Sequence, residues 1–291
     1  MNIEQYTITD SASGPYGLAS GPDGGLWLTL VHSSQIARFS PGSPLEKYGL
    51  PEGRRPTIIV PGPDGALWFT ENGADRVGRI TTGGEVTEFV LPTPGSGPFG
   101  IAPGPDGALW FTETSADRIG RITPDGDITE FGLPGSGTFP SAITAGADDA
   151  LWFTLNQANA IGRITLDGAV TLHPLPTESA APVGIARGHD DDLWFVEIGA
   201  GQLGHITLDG TITEHPLPDR AARPHAVAVD AHGVPWFTEW GANRVGALTP
   251  DGIAVHDLPT PGSEPHGITV APDGSLWAAL EIGALARLTP A

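Results

Sequence analysis

Seven of the chain's eight tryptophans, Trp27, Trp68, Trp110, Trp152, Trp194, Trp236 and Trp277, recur at intervals of 41, 42, 42, 42, 42 and 41 residues. Each sits inside a copy of one phrase, whose clearest form, PFGIAPGPDGALWFTETSADRIGRITPDGDITEFGLP, runs from Pro98 to Pro134. A period near forty with four short apolar runs per copy specifies an all-β, seven-bladed β-propeller built from four-stranded antiparallel blades. One such sheet cannot bury both of its faces alone, so the copies must stack on one another. The whole chain, residues 1–291, is therefore expected to form a single domain. Most of the 41 glycines and 29 prolines recur at the same phase of each copy, where turns form and strands begin, so they punctuate an ordered chain.

Within a copy, the GIAPGP and ALWFTE phrases flank a hairpin turn, with Asp-Gly at Asp64-Gly65, Asp106-Gly107 and Asp273-Gly274. RIGRIT follows as a third strand and ITEFGLP as a fourth. The recurrent Trp is assigned to packing between adjacent sheets, because it is present in every copy. The last copy stops at LARLTPA without a fourth strand, while Ile3 to Thr9, IEQYTIT, resembles ITEFGLP. The N-terminal segment is thus expected to complete the last blade and to remove the open edge of the array.

Acidic residues outnumber basic ones by 34 to 14, a net charge of -20 that repels nucleic acid and anionic membrane surfaces. The N-terminus lacks the basic and apolar regions of a signal peptide, and no apolar run reaches the ~20 residues that span a bilayer. The expectation is a cytoplasmic protein with no membrane partner. A closed ring needs no second subunit, so a monomer is expected. With no cysteine, thiolate chemistry, disulfides and Cys-based zinc sites are excluded.

Packing must be satisfied in every copy, whereas chemistry is needed in one place, so departures from the repeat mark a site. The residue after the strand-opening proline runs Tyr16, Thr57, Phe99, Ser141, Val183, His225 and His266; the residue before it runs Gly14, Arg55, Gly97, Phe139, Ala181, Arg223 and Glu264. Two positions are imidazoles and one is acidic. First strands lie nearest the axis of a propeller, so these residues can converge in the central funnel. Pairing about the Pro272-Asp273 turn places Glu264 opposite Glu281, and extended-strand parity places Glu264 and His266 on one side. Two close carboxylates need a proton or a cation between them. Oxygen ligands in small number suit Mg²⁺, which keeps waters and accepts substrate oxygens. A neutral imidazole nearby can remove a proton at neutral pH.

Bland readings compete with these. Glu71, Glu113, Glu197 and Glu239 each follow a repeat Trp by three positions, so an acid at the second strand's end belongs to the repeat, and Glu239 is the alternative second metal ligand. Glu281 departs from them by following Trp277 at four positions. His173, His215 and His256 replace the outer-strand Phe89 and Phe131 and are read as structural. His32, His189, His205 and His232 are read as surface or turn residues.

The phrases GPYG (Gly14 to Gly17), LWFTENGA (Leu67 to Ala74), APVGI (Ala181 to Ile185), LWFVEI (Leu193 to Ile198), RPHA (Arg223 to Ala226), WFTEWGAN (Trp236 to Asn243) and EPHGIT (Glu264 to Thr269) together carry a resemblance. Across essentially its whole length the chain resembles the virginiamycin B lyases, or streptogramin B lyases. RPHA followed some forty residues later by EPHGIT is the specific part, since PDGALWFTE is shared by many propellers. The resemblance implies linearisation of streptogramin B cyclic depsipeptide antibiotics by elimination at the ester, conferring resistance. It implies His266 as general base, Glu264 and Glu281 as Mg²⁺ ligands, and His225 as a substrate contact. Two other functions remain on the same scaffold: a lactonase-like metal hydrolase, and a non-catalytic ligand-binding propeller.

Overall fold

The computed structural model describes residues 1–289. Its strands form seven separate four-stranded antiparallel sheets, with no helix among the described residues. Blade 3 shows the plan: Pro98–Pro103, Leu109–Glu113, Arg118–Ile122 and Ile128–Gly132, each hydrogen-bonded to the next.

The repeat tryptophans hold the blades together in two directions. Trp27 packs with Ile59, Leu67 and Phe69 of the following blade, and Trp27, Trp68, Trp110 and Trp152 are fully buried. At 150–250 Å² of surface per aromatic side chain, each contributes roughly 4–6 kcal/mol of transfer free energy. The indole N–H would lose that gain if left unpaired; it donates instead to the turn aspartate four residues earlier, 3.0 Å for Trp27 to Asp23 and Trp68 to Asp64. Within its own sheet each ring also stacks on the outer strand's aromatic, Trp68 on Phe89 at 5.5 Å and Trp152 on His173 at 5.4 Å. His215 and His256 pack likewise on Trp194 and Trp236, so the three outer histidines are packing residues.

Asn2–Thr7 pairs with Ala284–Thr289 and supplies the fourth strand of blade 7, as expected. Tyr6 takes the outer aromatic's place, 5.4 Å from Trp277. The strand ends earlier than Thr9, because the amides of Ile8 and Thr9 both turn to the carbonyl of Gly283.

Three local devices aim side chains at the axis. First, the residue before each strand-opening proline has positive φ, including Arg55, Phe139, Arg223 and Glu264, the last at 50°. Second, every inner strand shifts register just after that proline, between Pro265 and Ile268 in blade 7, which frees the intervening residues from the ladder. Third, a threonine two residues after the Trp ties neighbouring blades: Thr112 accepts from Gly100 N–H at 2.8 Å and donates to the Ser141 carbonyl of the next blade at 2.6 Å. The parity argument for Glu264 and His266 is therefore corrected. Glu264 lies outside the strand in a left-handed conformation, and His266 lies in the irregular stretch, so extended alternation applies to neither.

Candidate functional site at the funnel rim

The seven inner strands enclose a cavity of about 580 Å³, lined near its mouth by Tyr16, Phe99, Phe139, Ser141, Val183 and His225. A second hollow of about 540 Å³ lies between blades 6 and 7, bounded by Arg223, Trp240, Asn243 and Glu264. His225 lines the first and Glu264 the second. The Arg223 guanidinium rests over the Trp240 ring, 5.4 Å from its centroid.

Glu264 and Glu281 face each other across the first hairpin of blade 7: Pro265 is paired with Leu280, and the Glu281 N–H donates to the Glu264 carbonyl at 3.3 Å. Their side chains interact directly, and partial burial together with Glu281 raises the Glu264 pKa. Burial also acts to raise Glu281, but hydrogen bonds from His32 and His266 hold it below the usual carboxylate range. Glu281 does not belong to the repeat acids. Glu71, Glu113, Glu197 and Glu239 are wholly buried at the second strand's last position, which in blade 7 is Leu280. Glu281, one residue further, has left the strand and reaches the rim. Glu239 is bound instead by Arg244 at 2.7 Å, so geometry brings Glu281, and not Glu239, to Glu264.

His266 is buried, with Nε2 2.6 Å from Glu281 Oε2. A carboxylate only accepts, so His266 donates Nε2–H and its lone pair is on Nδ1, which is buried without a hydrogen-bond partner. Burial lowers the His266 pKa despite the opposing carboxylate, favouring the neutral ring. Its backbone is held as well: Thr238 donates to the His266 carbonyl at 2.8 Å. The ring stacks on Tyr16 with centroids 4.5 Å apart. That contact crosses from blade 7 to blade 1, and it depends on Gly267, where a Cβ would fall 2.5 Å from the Tyr16 carbonyl oxygen.

His225 stands edge-on to His266, 4.8 Å between centroids, and its Nε2 is 3.2 Å from the Tyr16 hydroxyl. Burial and the neighbouring His266 push the His225 pKa down to about 3, so this ring is neutral. Tyr16 is driven up by burial and by Glu281 and stays a phenol. The blades preceding His225 and Tyr16 carry Val196 and Ala279 where others have the tying threonine. These two side chains hold one another instead.

Of the expectations for other histidines, one is extended and one revised. His32 is the exposed turn residue expected, but it also reaches the site, with Nε2 2.7 Å from Glu281 Oε1. The criterion of departure from the repeat would have found it one position further along: the corresponding residues are Gly73, Ser115, Gln157, Gly199, Gly241 and Ile282. His205 lies within a strand, 2.6 Å from Asp192 and against Trp194, where Arg38, Arg79, Arg121 and Arg163 serve other blades. Tyr16 and Thr238 also escaped the sequence argument; one looks like funnel lining, the other like repeat.

The virginiamycin B lyase family matches residues 1–288. A virginiamycin B lyase of Saccharopolyspora erythraea is 61% identical over 42 residues, 14% of this chain and 14% of that protein. One from Streptomyces coelicolor is 57% identical over 40 residues, 14% and 13% of the two chains. Over nearly full length, a streptogramin B lyase structure superposes with a TM-score of 0.96 at 43% identity, covering 99% of this chain and 97% of that one. A catalytically inactive His-to-Ala virginiamycin B lyase from Staphylococcus aureus, in a crystal structure with quinupristin, gives 0.96 at 44% identity, covering 100% and 99%. A hydrazine synthase from Kuenenia stuttgartiensis, at 17% identity and 0.81, shares the fold alone.

Proposed function

The chain belongs to the virginiamycin B lyase family, and from that premise we propose that it is a carbon-oxygen lyase that linearises streptogramin B antibiotics, with Mg²⁺ as cofactor. The observation that carries the reading is the convergence of His266, Glu264 and Glu281 on one point of the rim, beside a funnel able to take a ligand. In the Staphylococcus aureus relative, loss of a histidine abolishes catalysis, which fits an imidazole base.

The residues present fit a magnesium ion. Two adjacent carboxylates interact unfavourably without a cation or proton between them, and Glu264 is raised for that reason among others. Among the described residues no three His, Cys, Asp or Glu side chains are grouped so as to hold a metal ion by themselves. Two carboxylate ligands with the remaining positions left to water and substrate oxygen suit Mg²⁺. Glu264 and Glu281 would hold the ion, which when bound supplies a Lewis acid for a substrate carbonyl.

The chain's own residues account for proton transfer and orientation. His266, neutral and hydrogen-bonded to Glu281, is the base that takes the Cα proton of the ester-linked threonine. As that C–H bond breaks, its electron pair becomes the Cα–Cβ double bond, the Cβ–O bond breaks, and the ester oxygen departs in a carboxylate. Glu281 stabilises the imidazolium that forms. The neutral His225, held by Tyr16, orients the substrate by hydrogen bonding. Phe99 and Phe139 give the funnel an apolar wall against which a cyclic depsipeptide can pack.

The test is mass spectrometry of quinupristin after incubation with the protein, with and without a chelator. The expected product is linear, unchanged in mass, and absent when the chelator is present. A product heavier by one water establishes hydrolysis, and with it the lactonase-like alternative; an intact antibiotic that is bound without turnover establishes a binding propeller.

A further inference from the structure

Glu281 is bracketed by two imidazoles. His266 donates to Oε2 from within blade 7, while His32 reaches Oε1 from blade 1, across the seam where the ring closes. Each carboxylate oxygen accepts one N–H and retains a second lone pair. A carboxylate held at only one oxygen can rotate about its last bond; one held at both cannot. The space for His32 is built into blade 1. Gly14 occupies the position before the strand-opening proline, and a Cβ there would lie 2.3 Å from His32 Cδ2. Blades 2, 4, 5, 6 and 7 carry Arg55, Phe139, Ala181, Arg223 and Glu264 at that position. The Val31 and His32 amides donate to the Gly14 and Ser13 carbonyls, which fixes the turn that presents the ring.

We propose that His32 is a positioning residue: by donating Nε2–H to Glu281 Oε1 it locks the carboxylate so that Oε2 receives Nε2–H of His266, and thereby fixes the tautomer and orientation of the His266 ring. The proposal deepens the lyase reading and rests on it for its catalytic consequence, whereas its structural part concerns the protein alone. A group that orients a catalytic or ligating side chain in this way is typically worth on the order of 10- to 100-fold in activity. Because His32 touches the carboxylate and not the reacting atoms, its removal acts on kcat more than on KM.

The experiment compares wild type with His32→Ala, His32→Gln and Gly14→Ala. Nitrogen-15 spectra of the His266 ring are recorded on the protein without metal or substrate, beside kinetics on quinupristin with Mg²⁺. Expected are a single Nε2–H tautomer in wild type, a mixture of tautomers in His32→Ala, and a kcat lower by on the order of tenfold with KM within about twofold. His32→Gln, whose amide can still donate to Glu281, should recover most of both properties. Gly14→Ala should behave as His32→Ala, since the new methyl displaces the imidazole. An unchanged His266 spectrum in His32→Ala overturns the proposal, as does equal loss in His32→Ala and His32→Gln. A thermal melt accompanies each variant; a global loss of fold in His32→Ala would show a structural role and would also overturn it. If wild type leaves streptogramin B intact, the lyase reading fails while the nitrogen-15 comparison still decides the role of His32.

Discussion

At the scale of single residues, the two funnel histidines occupy equivalent positions in neighbouring blades but have different surroundings. His266 is paired with Glu281 and tied through its carbonyl to Thr238, whereas His225 has only the Tyr16 hydroxyl as a side-chain hydrogen-bond partner. A base needs a partner for the charge it acquires; an orienting group needs only a fixed direction. Steady-state kinetics on quinupristin should therefore show kcat falling at least about 100-fold in His266→Ala with binding largely kept. His225→Ala should raise KM on the order of tenfold, as the loss of one hydrogen bond of about 1–1.5 kcal/mol would, and keep measurable turnover. Equal kcat loss in both variants with unaltered binding would mean a relayed proton transfer. His225, His266 and Glu264 were legible in the sequence as departures from the repeat, and Glu281 through its pairing opposite Glu264 across the last hairpin. His32 also departs from its counterparts in the other copies, but what it touches depends on blades 1 and 7 becoming neighbours, a contact between residues 249 positions apart.

At the scale of strands and blades, the four buried glutamates have a purpose distinct from chemistry at the rim. Glu113 and Glu197 are wholly buried, and burial, with Glu130 and Glu214 close by, raises each to about 7. Ser96 and Arg118 oppose the shift at Glu113, and Gln202 at 2.7 Å and Arg220 oppose it at Glu197. Blade 4 fills the same two positions with Leu155 and Leu172, so a blade does not need the acid pair to form. Since the folded pKa lies above the ordinary carboxylate value, the folded state holds a proton that the unfolded state releases. Stability from these sites is complete below about pH 4.5 and declines as pH rises to about 7, by on the order of 2–3 kcal/mol per site at most. Denaturant melts of wild type should accordingly show a lower midpoint at pH 8 than at pH 5. A Glu113→Gln/Glu197→Gln variant should have a shallower dependence, and an identical slope would show that these carboxyls do not titrate with folding.

At the scale of the whole molecule, the candidate site sits on the closure seam. Tyr16 to His266 and His32 to Glu281 both join blade 1 to blade 7, and blade 7 is completed by the first strand of the chain. Deleting residues 1–8 would expose the unpaired edge of Ala284–Thr289 and one face of Trp277, and would remove six strand pairings. The expected outcome is a melting temperature lower by at least about 10 °C, or association through the open edge on size-exclusion chromatography. Retained stability would mean that the stacked faces of the first and last blades close the ring without the shared sheet. A truncated protein that stays folded should still lose activity, because the contacts around Glu281 span the loosened junction.

The sequence by itself determined the number of blades, the four-strand plan and the closure by the N-terminal strand. These follow from periodicity and local turn chemistry, which each copy repeats. It also marked which copies break the pattern. Only the tertiary structure decided how the exceptions meet. The bulge and the left-handed residue at each inner strand's entrance override extended alternation, so Glu264 and His266 converge for a reason that strand parity does not supply. Glu281 is separated from the repeat acids by a single position, a difference between strand interior and rim that pairing register alone resolves. The bracketing of that carboxylate by His32 and His266 arises because a ring brings its first and last repeats into contact, and no local rule along the chain encodes that distance.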